Sequence, residues 1–556
     1  HHSFKFGVSR TGAFSVWGCA LLFLIASGMA FGRSKIAKDL DKVDKSKTID
    51  VIVQFASMPT DAHHKKVTDK GGVLKAKLDL VKAGLYTMLA GKLKDLADDP
   101  GVVYISPDRA IQAAMDYSRP SVFADIAQQS GWDGSGVTVA VIDSGYSSHP
   151  DMAGLLLYDE AFGGLRRAID EYGHGNVVLG IITGSGADSG GQFRSIAPKT
   201  KFVNLRVLDA NGVGTDSAVI SAINRAIQLK SKYNIRIINL SLGRRVVESY
   251  KLDPLCGAVE AAWRAGIVVV VAAGNEGRIN TFGTNGYGLI ASPGNDPYVI
   301  TVGAMKTAGT VSRGDDLIAS YSSKGPTLLD HIVKPDLVAP GNRVVSLGGQ
   351  GIQTLESTAQ SNRVGSTYFR LSGTSMAAPM VSGAVALMLQ KNPALTPDAV
   401  KARLMKTASK NFPATSLTTD PLTGVIYSSR YDIFTIGAGY LNVWAALNNS
   451  DSVVAGSGTA RSPKVVYDPV THKVSLLKNY SVVWGDSVVW GDSVVWGDSV
   501  VWGDSVVWGD SVVWGDSVVW GDSTSAGFSV VWGDSVVWGD SNIAGESTAI
   551  AINGEN

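Results

Sequence analysis

Ser375 stands in the stretch "LSGTSMAAPMVSGAVALML", residues 371 to 389, among small residues just ahead of an apolar run that reads as a helix. Pro379 falls near the start of that run, where proline is tolerated best. A lone serine in such a place is most often a helix N-cap. The chemical alternative is a nucleophile whose developing charge meets the free main-chain N–H groups of a helix start. A serine nucleophile needs a base, and the base needs an orienting group. "VAVIDSG" delivers Asp143 to a strand end, and "EYGHGNVVLGII" sets His174 between two glycines at the start of an apolar helix. "VVVVAAGNEG" ends another strand with Asn275. Each has an ordinary reading: Asp143 and Asn275 as turn formers, His174 as a structural side chain. Of the eight histidines, only His174 has glycine on both sides. The order Asp, His, Asn, Ser along one alternating chain makes the set specific.

The elements that must hold these residues are legible as hydrophobic runs. "VTVAVID", "KFVNLRVL", "IRIINLSLG" and "IVVVVAAGN" are near-continuous apolar stretches, separated by helical patterns between about residues 120 and 446. Such runs suit strands buried on both faces of a parallel sheet. Several end in a chemically unusual residue, and sites in open α/β sheets gather at the carboxyl ends of strands. Residues 48–112 read differently. "IDVIVQF" is a strand, and in "GGVLKAKLDLV" the residues Leu74, Ala76, Leu78 and Leu80 alternate with polar ones, as in a half-buried strand. "AGLYTMLAG" can pair with it, and "KLKDLADDPGVVYISPD" gives a short helix, a turn and a strand.

With "AVIDSGYSSHPDM", "YGHGNVVLG", "INLSLG", "VVVAAGNEG" and "SGTSMAAPMVSGAVALML" on one chain, the second block resembles the subtilase family of serine proteases over about 320 residues. "KPDLVAPG" and "GAGYLNVWAAL" match its connecting and closing segments. The resemblance implies an α/β domain with a mainly parallel sheet flanked by helices. It implies that Ser375 attacks the peptide carbonyl, His174 carries its proton, Asp143 holds the imidazole, and the Asn275 amide with the Ser375 N–H binds the oxyanion. Ser241, Leu242 and Gly243 resemble the strand that pairs with an extended substrate, and Ala273 and Gly274 the wall of the first specificity pocket. Small residues there point to broad specificity with large apolar side chains before the cut. No cofactor is needed for this chemistry.

The resemblance extends to the first block, an α+β module of ferredoxin-like type. It is similar to the family's inhibitor-type propeptide, an intramolecular partner that assists folding and blocks the cleft until cut between about Gln112 and Phe123. Slow, non-local topologies give such a template a physical purpose. Two departures stand out: Asn176 and Val177 replace a threonine and a second histidine of the common pattern. Asp151 matches a position that binds calcium in some members. The loop "GSGADSGGQFR" supplies no clear set of further ligands, so a structural calcium is left unassigned and a turn-forming Asp151 is the alternative.

The termini are distinctive. Lys5 and Arg10 precede the apolar block "AFSVWGCALLFLIASGMAFG", residues 13 to 32, which reads as a secretory signal ending near Ala30 or Gly32. A membrane anchor is the alternative, but the apolar core is short for a span. Cys19 would leave with that signal. Cys256 then stands alone as a buried small hydrophobe, with no intrachain disulfide. A net charge of +1 argues against nucleic-acid and membrane-surface binding. From Ser481, "SVVWGD" recurs seven times in tandem, and twice more after "STSAGF". A stacked β array, a surface-binding module using tryptophan faces and an aggregation-prone acidic tail all remain open. The expected order is signal 1–32, propeptide 33–115, catalytic domain 120–446, linker 447–480 with one hairpin, repeats 481–540 and C-terminal tail 541–556. Function is expected to be secreted serine endopeptidase. The alternative is a catalytically dead scaffold that binds through its repeats, against which the intact set of four residues stands. Substrate, oligomeric state and metal sites are not assigned.

Overall fold

The computed structural model describes residues 35–107, 115–451, 460–477 and 543–555, apart from short breaks at 38–39, 41–42, 281–283, 350–352, 421–422, 469–472 and 545–547. The signal segment and the SVVWGD repeats lie outside the described residues. The chain divides into two compact units, residues 1–111 and 112–556.

In the first unit, β1 (Thr48–Phe55), β2 (Val73–Leu78), β3 (Ala83–Leu89) and β4 (Val102–Pro107) form one antiparallel sheet in the order β2-β3-β1-β4. One helix, Asp61–Asp69, follows β1 and another, Leu93–Ala97, follows β3, which is the ferredoxin-like order. Val51, Val53 and Phe55 alternate along β1 onto the buried face, where Val67, Leu93 and Leu96 of the helices join them in one core. The alternation in β2 stops at Leu78 and does not reach Leu80. Residues Asp79–Val81 make a single 3-10 turn, and Lys82 takes a left-handed φ of 52° to start β3.

The second unit is built on an eight-stranded sheet. Its strands are β5 (Thr138–Asp143), β6 (Leu156–Ala161), β7 (Lys201–Arg206), β9 (Ile235–Leu240), β10 (Val268–Ala272), β11 (Ile300–Lys306), β12 (Leu317–Ile318) and β13 (Leu337–Pro340). A short strand, β8 (Val213–Gly214), lies outside this sheet. The order is β12-β11-β10-β9-β5-β7-β6, with β13 on β11, and every pair but β11–β12 is parallel. The fully buried β5 and β10 explain why those runs read as continuous apolar stretches. From β5 the chain goes to the edge strand β6, returns to fill the gap with β7, and then crosses β5 to build outward through β9, β10 and β11. The order therefore reverses at β5, and Asp143 is its last residue.

Helices cover the sheet. Helix Asp216–Tyr233 opens on a Thr215 cap and helix Pro254–Arg264 on an Asp253 cap, each of a kind worth about 1 kcal/mol. Helix Thr374–Lys391 packs on β9, β10 and β11 and is buried at every residue from Thr374 to Leu389. Beyond the main sheet lie β14 (Val344–Leu347), β15 (Arg363–Val364) and β16 (Tyr368–Leu371), and the hairpin β17 (Thr415–Thr419) with β18 (Ile426–Arg430). Cys256 is buried, and burial pushes its thiol pKa up.

After residue 446 the described chain includes one hairpin, at the place the sequence reading allows for one. Hairpin β19 (Val465–Asp468) and β20 (Lys473–Leu476) puts Val465 and Val474 into the main core, as does Ala460 before it. Past the repeats, β21 (Ile543–Ala544) pairs with β8, and a helix, Thr548–Asn553, packs on β16. Near the end of the C-terminal segment the carboxylate of Glu555 is buried inside this unit.

Candidate active site

Asp143 ends β5, and the next turn must let a helix start pack against it. Gly173, the cap before helix His174–Thr183, has φ of 105°, in the left-handed region that glycine accepts. A Cβ on Gly175 would stand 2.3 Å from the Gly145 carbonyl oxygen, so the helix approaches this turn more closely than any side chain allows. His174 Nδ1 consequently lies 2.7 Å from Asp143 Oδ1, with both side chains buried. The same Asp143 oxygen accepts the Ser144 N–H at 2.7 Å.

Asp170 holds this corner from beneath. Its Oδ1 accepts from the Gly173 N–H at 2.7 Å and the Ser144 hydroxyl at 2.9 Å, and its Oδ2 from the Asn176 N–H at 2.8 Å. Burial pushes the Asp170 carboxyl up to about 6; those donors oppose the rise and the charge of Asp143 adds to it. Asn176 clasps Ser147, accepting its N–H at 2.7 Å and donating to its carbonyl at 3.0 Å. The unusual residue at that position therefore closes the loop after Asp143. Val177 is core, and its carbonyl accepts the Ser346 hydroxyl.

Ser375 is the second residue of helix Thr374–Lys391, which lies alongside helix His174–Thr183. Its N–H belongs to the first turn, where main-chain donors have no partner within the helix. Asn275 follows β10, and its Oδ1 accepts the Thr374 N–H at 2.9 Å. The Thr374 hydroxyl in turn accepts the Gly274 N–H at 3.1 Å, so the two loops are tied at this point. Ser241 follows β9. A buried relay runs from the Ser382 hydroxyl to Asn239 Oδ1 (2.8 Å), from Asn239 Nδ2 to Ser241 Oγ (3.0 Å), and from Ser241 Oγ to the Ser375 carbonyl (2.8 Å). Pro379 sits in the second turn of the helix, later than the sequence reading placed it. It is the residue whose N–H would otherwise bond the Ser375 carbonyl, which explains why that carbonyl is left to Ser241.

Residues 134–424 match the model of the subtilase family. Serine protease AprX of Bacillus subtilis (strain 168) is 40% identical over 316 residues, covering 55% of this chain and 69% of that protein. Subtilisin E of the same organism is 32% identical over 406 residues, covering 71% of this chain and 92% of its own length. Subtilisin DY of Bacillus licheniformis is 35% identical over 295 residues, covering 53% and 91%.

The chain belongs to the subtilase family. Its enzyme class is that of the serine endopeptidases, hydrolases of the subtilisin type.

In this subtilase the strand ends after β9 and β10 face one another across Ala291. A Cβ on Gly243 would lie 3.0 Å from the Ala291 Cβ, and one on Gly274 would lie 3.3 Å from it. Leu242 and Ala273 are buried in the core, as is the side chain of Ser241. Ala291 and Asp170 were missed by the sequence reading. A small residue in a loop and a lone aspartate in a polar loop carry no signal of their own, although Asp170 does stand four residues before His174.

Asp151 does not fit a calcium ligand. Its Oδ1 accepts the Asp188 N–H at 2.8 Å, and its Oδ2 accepts the Gly186 N–H at 3.1 Å and the Tyr368 hydroxyl at 2.7 Å. Two N–H groups of the 184–192 loop and the Tyr368 hydroxyl thus face this carboxylate, which ties the loop down. Among the described residues no cluster of three His, Cys, Asp or Glu is placed to hold a metal. No described helix is long and apolar enough to cross a membrane.

Proposed function

We propose that this chain is a secreted, self-processing endopeptidase that cleaves polypeptides through an acyl-enzyme. Ser375 Oγ attacks the scissile carbonyl. His174 takes the hydroxyl proton and returns it to the leaving amine. Asp143 fixes the imidazole in one tautomer and stabilises its charged form. The Asn275 amide and the Ser375 N–H meet the oxyanion, the latter with the aligned dipoles of a buried helix behind it. The observation that carries this reading is the buried 2.7 Å contact between His174 and Asp143, made at the start of a helix that packs along the helix bearing Ser375.

Backbone pairing along Ser241–Gly243 holds an extended substrate with little demand on its sequence. Gly243, Ala273 and Gly274 carry no side chain larger than a methyl at these strand ends, which suits a large apolar side chain before the cut. Glu276, after β10, is paired with Arg245, after β9, at 3.0 Å. Residues 33–115 are a propeptide that templates the slow parallel sheet and blocks the cleft until it is cut.

The test is the intact mass of the precursor made from Arg33, beside Ser375→Ala. The account expects only the parent to be cut between about Gln112 and Phe123. A parent that stays whole under folding conditions removes self-processing. A cut in both chains removes Ser375 as its agent.

A further inference from the structure

Behind Gly243 and Ala291 the chain is tied together twice. Arg244 follows Gly243, and Ser292 follows Ala291. The main chains of these two residues pair. The Arg244 N–H donates to the Ser292 carbonyl at 3.0 Å, and the Ser292 N–H donates to the Arg244 carbonyl at 2.8 Å. The Ala291 N–H donates in turn to the Ala273 carbonyl at 3.0 Å. The place of Ala291 is therefore set from the ends of both β9 and β10.

The second tie runs through side chains, and Asp253 makes it. Its Oδ1 accepts from Arg244 Nη2 at 2.8 Å, and its Oδ2 accepts the Ser292 hydroxyl at 2.7 Å. The same carboxylate caps helix Pro254–Arg264, taking the Leu255 N–H at 2.9 Å. Arg244 is held on its other side by Asp216, with Nε 3.0 Å from Oδ1. Arg244, Asp253 and Ser292 are all buried. Cys256, in the first turn of the helix that Asp253 caps, donates its thiol to Asn295 Oδ1 at 3.3 Å, and the Asn295 N–H returns to the Ala291 carbonyl at 3.0 Å.

A helix cap needs neither burial nor an arginine, since an exposed serine or asparagine serves as well. A buried carboxylate is tolerated only where its charge is met and its lone pairs are filled. Asp253 satisfies both conditions by closing a ring: Arg244 and Ser292 are joined directly by their main chains and again through its two oxygens. The planar guanidinium, gripped by Asp216 and Asp253, resists rotation as an ammonium would not. Such a ring keeps the segment that carries Ala291 from sliding along the end of β9.

We propose that Asp253 is a positioning residue for substrate selection, acting through Arg244 and Ser292 to fix Ala291 as the floor on which a large apolar side chain before the cut comes to rest. This deepens the reading of the site as a peptidase and rests on it. A small side chain at the same place does not reach the floor and is indifferent to the ring.

The experiment compares the complete processed chain with Asp253→Asn and with Ser292→Ala. Asparagine keeps the shape of the cap and removes the charge that Arg244 meets. Two tetrapeptide nitroanilides are used that differ only in the residue before the cut, phenylalanine or alanine, with active sites titrated in each preparation. The ring predicts that kcat/KM for the phenylalanine substrate falls about 3–10-fold, through KM, while the alanine substrate is turned over as by the parent. An unchanged ratio of the two substrates overturns the proposal, as does an equal fall on both, which would make the ring a support of the fold alone. Ser292→Ala leaves the Arg244 pair and the helix cap in place, so it decides the matter should Asp253→Asn fail to fold. A parent that cleaves neither substrate overturns the peptidase reading. A parent that cleaves both without preferring phenylalanine leaves that reading standing and overturns the ring.

Discussion

The Ser241 hydroxyl donates to the main-chain carbonyl of Ser375 at 2.8 Å, and it does so at the one place where the serine helix has no N–H to offer. The N–H missing at Pro379 and the relay Ser382–Asn239–Ser241 are one device, which fixes the peptide unit of Ser375 from the strand side. Ser241→Ala should leave a buried carbonyl unpaired and lower stability by about 1–3 kcal/mol. Turnover should fall more than KM changes. Adding Pro379→Ala supplies the missing N–H and should recover part of that stability. Chemical denaturation of the four chains of this cycle measures the coupling. Strict additivity would show that the two residues do not serve the same carbonyl.

Asn275 gives its side-chain oxygen to the Thr374 N–H, which turns its amide nitrogen toward the other side of the loop. Asn275→Ala should cost about 10²–10³ in kcat with little change in KM, the magnitude measured for the oxyanion asparagine of a subtilisin. Steady-state kinetics on a peptide amide checks this. An unchanged kcat would remove Asn275 from the oxyanion site.

Gly175 has room for a hydrogen and nothing more. With a main-chain oxygen 2.3 Å from its would-be Cβ, Gly175→Ala must push the His174 helix away from Asp143. A loss of about 1–3 kcal/mol is expected, together with a fall in kcat. A thermal midpoint equal to that of the parent would mean that the turn at Gly145 yields freely.

Asp170 makes stability depend on pH in an unusual direction. Its carboxyl ionises at about 6 in the folded chain against an ordinary value of 3.8. The favourable contribution of a raised carboxyl is complete below the unfolded value and is lost as pH rises through about 6. The shift corresponds to roughly 3 kcal/mol. Relative to Asp170→Asn, the parent should therefore be more favoured at pH 3 than at pH 7.5 by about that amount. The comparison is made in Ser375→Ala chains, to prevent self-digestion. A gap that widens toward neutral pH would mean that the three donors named around Asp170 outweigh its burial.

The strand ends were legible because strands buried on both faces must be apolar throughout, so a polar residue at their carboxyl end stands out. Asp143, Ser241 and Asn275 all lie there. Asp170 and Ala291 act through what the fold brings to them: the first gathers N–H donors, the second is bare floor between two glycines. Leu80 continues an alternating pattern, but the left-handed Lys82 ends the strand before the pattern does. The return of Glu555 to Arg278 was hidden by the repeats, which separate partners that no local pattern connects. Asp151 accepts N–H groups from the loop opposite, a role its place in the motif does not reveal.

The central claim is that Ser375 is the nucleophile and that His174 activates it. The most direct measurement is the mass of the processed chain after treatment with a serine-directed phosphonofluoridate, with the adduct located by peptide mapping. The account predicts one adduct per chain, on Ser375, formed far more slowly in His174→Ala. Labelling of Ser375 at the same rate in His174→Ala, or an adduct on another residue alone, would contradict it.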